Sequence, residues 1–351
     1  MKTTFMEDDV QNSQGGRWDI EFPPLSYSES QLRRRRRCAR EHYHAVYTAH
    51  RGWSAAEWSE SWRAYRLKCA TALSAAVGTA VHEAATTCVM ALREGRGLPS
   101  FEVLRSPAAA SLNARWRNSR TRRAEFLRAP KRVPVFLEAL YGDGPTKQQL
   151  HRAGMVLDRS ILALLRCEEI WEWVRSAAPA DVILMEPFAA FIRQTHSGPV
   201  RCYGAADLIV RPAANESWHI IDFKSGATDG VVDQLMTYAI ISRDVLGLDL
   251  AKGCIGVTAS LAEEPGHVVT TVGISLDDLI DAEIRLEREI EIAQRYIADA
   301  STGQPRPIDG FPMTTDAKAC GYCAFRALCH PNTMAASALA ANGSHPAERT
   351  A

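Results

Sequence analysis

The sequence predicts a mixed α/β chain, helical in its first half and strand-bearing in its second. Three observations carry this. Between residues 25 and 180 apolar residues recur near helical spacing, broken by Pro and Gly. From residue 181 short apolar runs alternate with turns, the pattern of strands. Their order is strand–strand–strand–helix–strand–strand–helix, which leaves α/β and α+β open, each with a helical insertion. At 351 residues and 46% hydrophobic content the chain can bury one large core or two modest ones.

Taken in order, residues 1–22 are polar and aperiodic, and disorder is expected there. A helix opens near Leu25–Ser28 with Ser28 as N-cap, and carries the arginine run Arg33–Arg37 and then Cys38. Residues 55–94 read as helical up to the Gly95–Pro99 stop and contain GTAVHE (78–83). More helices follow over 100–178, interrupted at Pro130, Pro134 and the GDGP turn at 142–145. DVILMEPFAAFI is a strand candidate. PVRCYGAADLIVRP and SWHIIDFKSG read as two strands joined by a turn. Asp229 can cap a helix running to about residue 246. KGCIGVTASL and HVVTTVGISL are further strands, and residues 275–300 form a long amphipathic helix. The expected division is one domain over 23–330: helical to 180, a sheet core over 181–300 and a cysteine cluster over 310–330. An Ala/Ser-rich tail, disordered by composition, covers 331–351.

The formal net charge is zero, so overall charge announces no polyanionic partner. Its distribution says more: Arg33–Arg37 and the arginine-rich stretch 114–132, which holds Trp116 and Phe126, are local basic surfaces fit for phosphate and stacked bases. There is no uninterrupted apolar run of about 18 residues and no basic-then-apolar leader, so a cytoplasmic protein with no membrane partner is expected. The nine cysteines are odd in number and mostly scattered, which does not suit a disulfide framework.

The candidate chemistry lies between Cys202 and Ala239. Residues two apart on a strand share a face, so WHIIDFKSG puts Asp222 and Lys224 on one side and Ile221 and Phe223 on the other. Asp207, read as part of the preceding strand, comes alongside. Two carboxylates can hold a magnesium ion that keeps several waters, and a lysine beside them can orient one of those waters or neutralise developing charge. D-x-K alone is a weak signal. The apolar run before it, the second acid, Gly226 after it and the helix bearing Gln234 and Tyr238 strengthen it.

GAAD (204–207), IDFKSG (221–226) and QLMTYA (234–239) resemble the RecB-like branch of the PD-(D/E)XK nuclease superfamily. The resemblance spans most of residues 25–330 and is weakest over 95–180. It implies a restriction-endonuclease-like core, a central mixed sheet flanked by helices. It implies Asp207 and Asp222 as metal ligands, Lys224 as the catalytic lysine, and Gln234 and Tyr238 lining the site. His82 alone reads as a packed histidine; the G-x-x-x-H helix of this branch implies a metal ligand, which favours Mn²⁺ beside Mg²⁺. Glu186, in LMEPF, resembles the acid that precedes the motif aspartate and is a further candidate contact to metal-bound water.

Cys320, Cys323 and Cys329 are spaced C-x2-C-x5-C. Thiolates so spaced can ligate one centre but need a fourth ligand, and zinc and iron–sulfur are both open. An iron–sulfur subset of this branch, including AddB-type helicase–nuclease subunits and CRISPR-adaptation exonucleases, has one upstream and three downstream cysteines. The resemblance therefore implies a 4Fe–4S cluster on Cys38, Cys320, Cys323 and Cys329 that staples the two ends together. The implied activity is metal-dependent hydrolysis of DNA, as an exonuclease on single strands or ends, in repair, recombination or defence. A DNA-binding or scaffolding subunit is the alternative. No Walker-type phosphate loop is present, so any ATP-driven unwinding would come from a helicase partner.

Overall fold

The computed structural model describes residues 20–184, 189–196, 198–226, 228, 230–262 and 267–330, without the side chain of Ala189. The expected N-terminal disorder, the 331–351 tail, Glu186 and the capping role of Asp229 fall wholly or largely outside these residues.

The chain opens with β1 (Ser26–Tyr27) and α1 (Glu29–Arg37). Ser28 caps α1 by accepting from the Gln31 amide at 3.3 Å. After α2 (Ala39–Tyr43) come α3 (Glu60–Cys69) and α4 (Leu73–Arg93). The sequence reads 55–94 as helical, but residues 70–72 leave the helix. There Thr71 bridges to Phe136, and its carbonyl accepts from the Leu137 amide at 2.9 Å. Next come α5 (Phe101–Thr121), α6 (Arg123–Arg128), α7 (Lys147–Leu165) and α8 (Glu168–Ser176). By length and composition α4 could cross a membrane, yet it packs here as a core helix against α5, α7 and α8.

The strands follow: β2 (Val182–Ile183), β3 (Ala189–Thr195), β4 (Gly198–Gly204), β5 (Leu208–Val210) and β6 (Trp218–Lys224). Then come α9 (Val231–Asp244), β7 (Cys254–Ser260), β8 (Val268–Gly273) and α10 (Leu276–Gln294). The long helix expected to residue 300 ends at 294, where β9 (Ile297–Asp299) turns back to pair with β10 (Gln304–Pro305). The chain closes with α11 (Ala317–Tyr322) and α12 (Arg326–Cys329).

Two sheets position the site. Among the described residues one runs β2-β5-β6-β7-β8, with β6 and β7 parallel and the other pairs antiparallel. The second runs β1-β4-β3. This corrects two expectations. The 199–212 segment, read as one strand, is two strands in different sheets, and Asp207 sits in the bend between them rather than within a strand. DVILMEPFAAFI likewise divides into β2 of one sheet and β3 of the other. Apolar runs of this length do not show where a chain leaves one sheet for another.

The five-stranded sheet is covered on both faces, which is why β6 is buried along most of its length. Ile221, Phe223, Val257 and Ala259 pack with Val81, Leu157, Ile161 and Trp171 of the helical layer. Trp218 and Ile220 pack with Leu235, Ala239 and Ile240 of α9 and with Leu279 and Leu286 of α10. The helical insertion and the sheet core thus share one core.

Candidate active site

Sheet register assembles the site. Leu208 of β5 lies opposite Ile221 of β6, which brings Asp207, one residue earlier, to the end of β6 where Asp222 projects. Asp207 is held from two sides. Its Oδ2 accepts from the Phe223 amide at 2.8 Å, and its Oδ1 lies 2.8 Å from His82 Nδ1 of α4. Gly78, one turn before His82, faces Ser225, and a Cβ there would make ordinary contact, 3.4 Å from the Ser225 hydroxyl.

Asp222 is 1% exposed, so its environment decides its chemistry. Its Oδ1 accepts from Gln234 Nε2 at 3.2 Å. Its Oδ2 is buried and lies 2.7 Å from Lys224 Nζ, in a geometry that makes no directed hydrogen bond. Burial raises the Asp222 pKa above the usual carboxylate value; the Lys224 ammonium opposes this and the Asp207 charge adds to it. Burial lowers that of His82, but the hydrogen bond to Asp207 and the charges of Asp207 and Asp222 outweigh it, and the net direction is up.

Gln234, on the first turn of α9, is the hub. Its Oε1 accepts from Lys224 Nζ at 3.1 Å and also from the guanidinium of Arg33. Its Nε2 donates to Asp222 and to the Tyr238 hydroxyl one turn on. Only this amide orientation satisfies all four partners, with oxygen toward the cations and nitrogen toward the carboxylate. Two glycines make the arrangement possible. Gly230 caps α9 with φ of 69°, a left-handed value that suits glycine. At Gly204 a Cβ would sit 2.5 Å from Ile241 Cδ1 and 3.3 Å from the Tyr238 ring, so a side chain there would have to push Ile241 aside.

The structure therefore brings together Asp207, Asp222, Lys224, Gln234, Tyr238 and His82; Glu186 lies outside the described residues. Among those residues no three His, Cys, Asp or Glu side chains converge tightly enough to enclose an ion as placed. Asp207 is turned to His82, and Lys224 competes for Asp222 Oδ2. The donor set still suits a hard divalent cation, because two carboxylates meet at one strand end and the buried Oδ2 lacks a directed donor. Arg33 was missed as a site residue, because nothing in a run of five arginines distinguishes one that reaches α9.

Four of the five arginines in the run are paired with carboxylates. Arg35 and Arg36 pair with Glu289 of α10 at 2.8 and 2.7 Å, and Arg37 and Arg34 with Glu41 at 2.6 and 3.8 Å. Phe126, expected to stack on bases, is fully buried beside Leu67 and Val135, whereas Trp116 is half-buried under Arg120.

A second constellation lies where the two ends of the domain meet. Cys38, Cys320, Cys323 and Cys329 line one pocket with Glu41 and Arg326. All are free thiols and their sulfurs do not enclose a single ion as placed. Burial pushes Cys323 up to about 12 and Cys329 to about 11, so a bound cationic centre would be what deprotonates them. The Phe325 amide donates to Cys323 Sγ at 3.3 Å, and His44 Nε2 lies 3.6 Å from Cys329 Sγ. The ends are joined independently: the Arg40 amide and guanidinium donate to the Pro312 and Phe311 carbonyls at 3.2 and 2.8 Å. Tyr141 of the insertion donates to the Ala324 carbonyl at 2.6 Å.

This geometry defines a class: a mixed α/β core with a buried acid–lysine strand end braced by the following helix. The profile of the PD-(D/E)XK nuclease superfamily matches residues 26–330, and the chain belongs to that superfamily. Its members are nucleases that use divalent metals such as Mg²⁺ or Mn²⁺, and DNA is the substrate this implies. Among solved structures, one described as the crystal structure of SSO0001 is 18% identical, covering 60% of this chain and 81% of that chain with a TM-score of 0.27. No curated protein matches.

Proposed function

We propose that this chain is a RecB-like deoxyribonuclease that hydrolyses phosphodiester bonds, as an exonuclease on single-stranded DNA or DNA ends. The observation that carries the reading is the register of β5 against β6, which brings Asp207 to the strand end bearing Asp222 and Lys224, with Gln234 bridging Lys224 and Asp222. Asp207 and Asp222, with His82 and with Glu186 as a further candidate contact, would hold Mg²⁺ or Mn²⁺. When bound, such an ion lowers the pKa of its water and stabilises charge on the phosphoryl group. Lys224 is the catalytic lysine: between Asp222 Oδ2 and Gln234 Oε1 it is placed to orient the attacking water or neutralise the developing oxyanion. Gln234 holds that ammonium in place, and Tyr238 fixes the amide.

The second part of the proposal is a structural 4Fe–4S cluster on Cys38, Cys320, Cys323 and Cys329. Its support is that the upstream cysteine and the three downstream ones line one pocket. Free thiols suit a reducing compartment, and we place the protein in the cytoplasm. The biological setting we propose is DNA repair, recombination or defence, with a helicase as a candidate partner. The alternative reading is a DNA-binding or scaffolding subunit with partner-dependent or no nuclease activity.

The test is cleavage of end-labelled single- and double-stranded DNA by anaerobically purified protein with Mn²⁺, Mg²⁺ or EDTA. Metal-dependent cleavage that disappears in Asp222→Ala supports the nuclease reading, and the product ladder separates exonuclease from endonuclease action. Undiminished cleavage in Asp222→Ala sinks the assignment. Iron and acid-labile sulfide, against zinc, decide the identity of the cysteine centre.

A further inference from the structure

We propose that Arg33 forms, with Lys224, a two-cation subsite that grips a phosphate of the DNA backbone; this rests on the nuclease reading above. The arginine run does not act as a block. Among the described residues Arg34, Arg35, Arg36 and Arg37 each pair with Glu41 or Glu289, whereas Arg33 pairs with no carboxylate. It is exposed, and its guanidinium donates to Gln234 Oε1.

Its position is built into the fold. Glu29, in the first turn of α1, accepts from the Tyr27 hydroxyl at 2.7 Å and from the Thr237 hydroxyl of α9 at 2.8 Å. Thr237 lies three residues after Gln234, so the contacts that fasten α1 to α9 also set Arg33 over the hub. Leu32 packs into the core beside it.

The charge balance points to an anion. Gln234 Oε1 takes donors from two cations but, being neutral, compensates neither. Lys224 has Asp222 at 2.7 Å; Arg33 has no such partner among the described residues. A guanidinium has five N–H donors in a planar fork, and with one on Gln234 it can still present two to the oxygens of a phosphodiester. The site thus divides into a carboxylate side for a cation and a cationic side for phosphate.

The test is binding of a labelled single-stranded oligonucleotide to the full chain in EDTA, by anisotropy, over a range of salt. Arg33→Ala is expected to weaken binding about tenfold and to reduce the salt slope by about 0.7, the release of one phosphate contact on a single strand. Arg33→Lys should restore the slope but only part of the cleavage rate, since an ammonium cannot make the fork. Arg36→Ala, paired with Glu289, should keep the wild-type slope. If Arg33→Ala lowers the melting temperature, Arg33→Gln takes its place, keeping a donor to Gln234 without the charge. An unchanged slope and affinity in folded Arg33 variants overturns the proposal, whether or not the wild type cleaves. An Arg33-dependent slope in a wild type that never cleaves upholds the subsite and sinks the nuclease reading instead.

Discussion

The carboxylate site and the cysteine pocket are assembled in opposite ways. At the carboxylate site each chemical group is braced by a neighbour: Asp207 by a backbone amide, Asp222 and Lys224 by Gln234, and Gln234 by Tyr238. At the cysteine pocket the backbone brings four sulfurs to one place from opposite ends of the chain but does not join them. The first site is prepared by packing and costs stability, because it keeps a carboxylate in the core. The second would add stability on being filled, because a centre there closes a very long loop.

The largest expected effect tests the second half of that contrast. Cys323→Ser should lose the iron chromophore and destabilise the loaded protein by about 5–6 kcal/mol, the closure entropy of a cross-link over so long a loop. The check is denaturant unfolding of anaerobic protein, and an unchanged midpoint would separate the pocket from stability. Next, Asp222→Asn should cut cleavage by about 10³-fold or more while leaving the metal-free melting temperature unchanged or higher. The sign follows from linkage. With the folded pKa raised, ionising Asp222 disfavours the fold once pH passes the unfolded value, and the amide removes that cost. A clear drop in melting temperature would show that the buried carboxylate is structural.

Gly204→Ala sharpens the comparison at intermediate size. The added Cβ, 2.5 Å from Ile241 Cδ1, should cost about 1–3 kcal/mol and slow cleavage by moving Tyr238; a slower rate at unchanged stability would place the effect on the hub alone. The smallest effect concerns His82. Its folded pKa lies above its ordinary 6.5 value, so the Asp207 pair contributes fully below the unfolded pKa and is lost as pH rises through the folded one. In metal-free protein His82→Ala should therefore cost about 0.5–1 kcal/mol near pH 6, since the pair is partly exposed, and less above pH 8. Equal costs at both pH values would mean that His82 acts through packing.

Much of this was legible in the chain. Ser28 caps a helix where expected, β6 carries Asp222 and Lys224 opposite Ile221 and Phe223, and Gln234 and Tyr238 lie one helical turn apart. What the sequence left out was how individual charges and rings would be partnered. The arginine run reads as a phosphate-binding surface, yet four of its members find Glu41 and Glu289. Phe126 reads as a base-stacking ring in a basic stretch, yet it fills the insertion's core.

By itself the sequence determined the local periods: which residues share a strand face, which start a helix, and which side chains lie one helical turn apart. Those follow from two- and 3.6-residue repeats and from backbone capping, all set within a few residues. Only the tertiary structure decided that Asp207 stands in a bend between two sheets, that α4 delivers His82 to it, and that Cys38 lines a pocket with Cys329. It alone decided that Arg33, of five identical neighbours, reaches the active-site amide. Charges and hydrogen bonds between segments hundreds of residues apart are settled by packing, and a one-dimensional pattern holds no record of which donor arrives beside which acceptor.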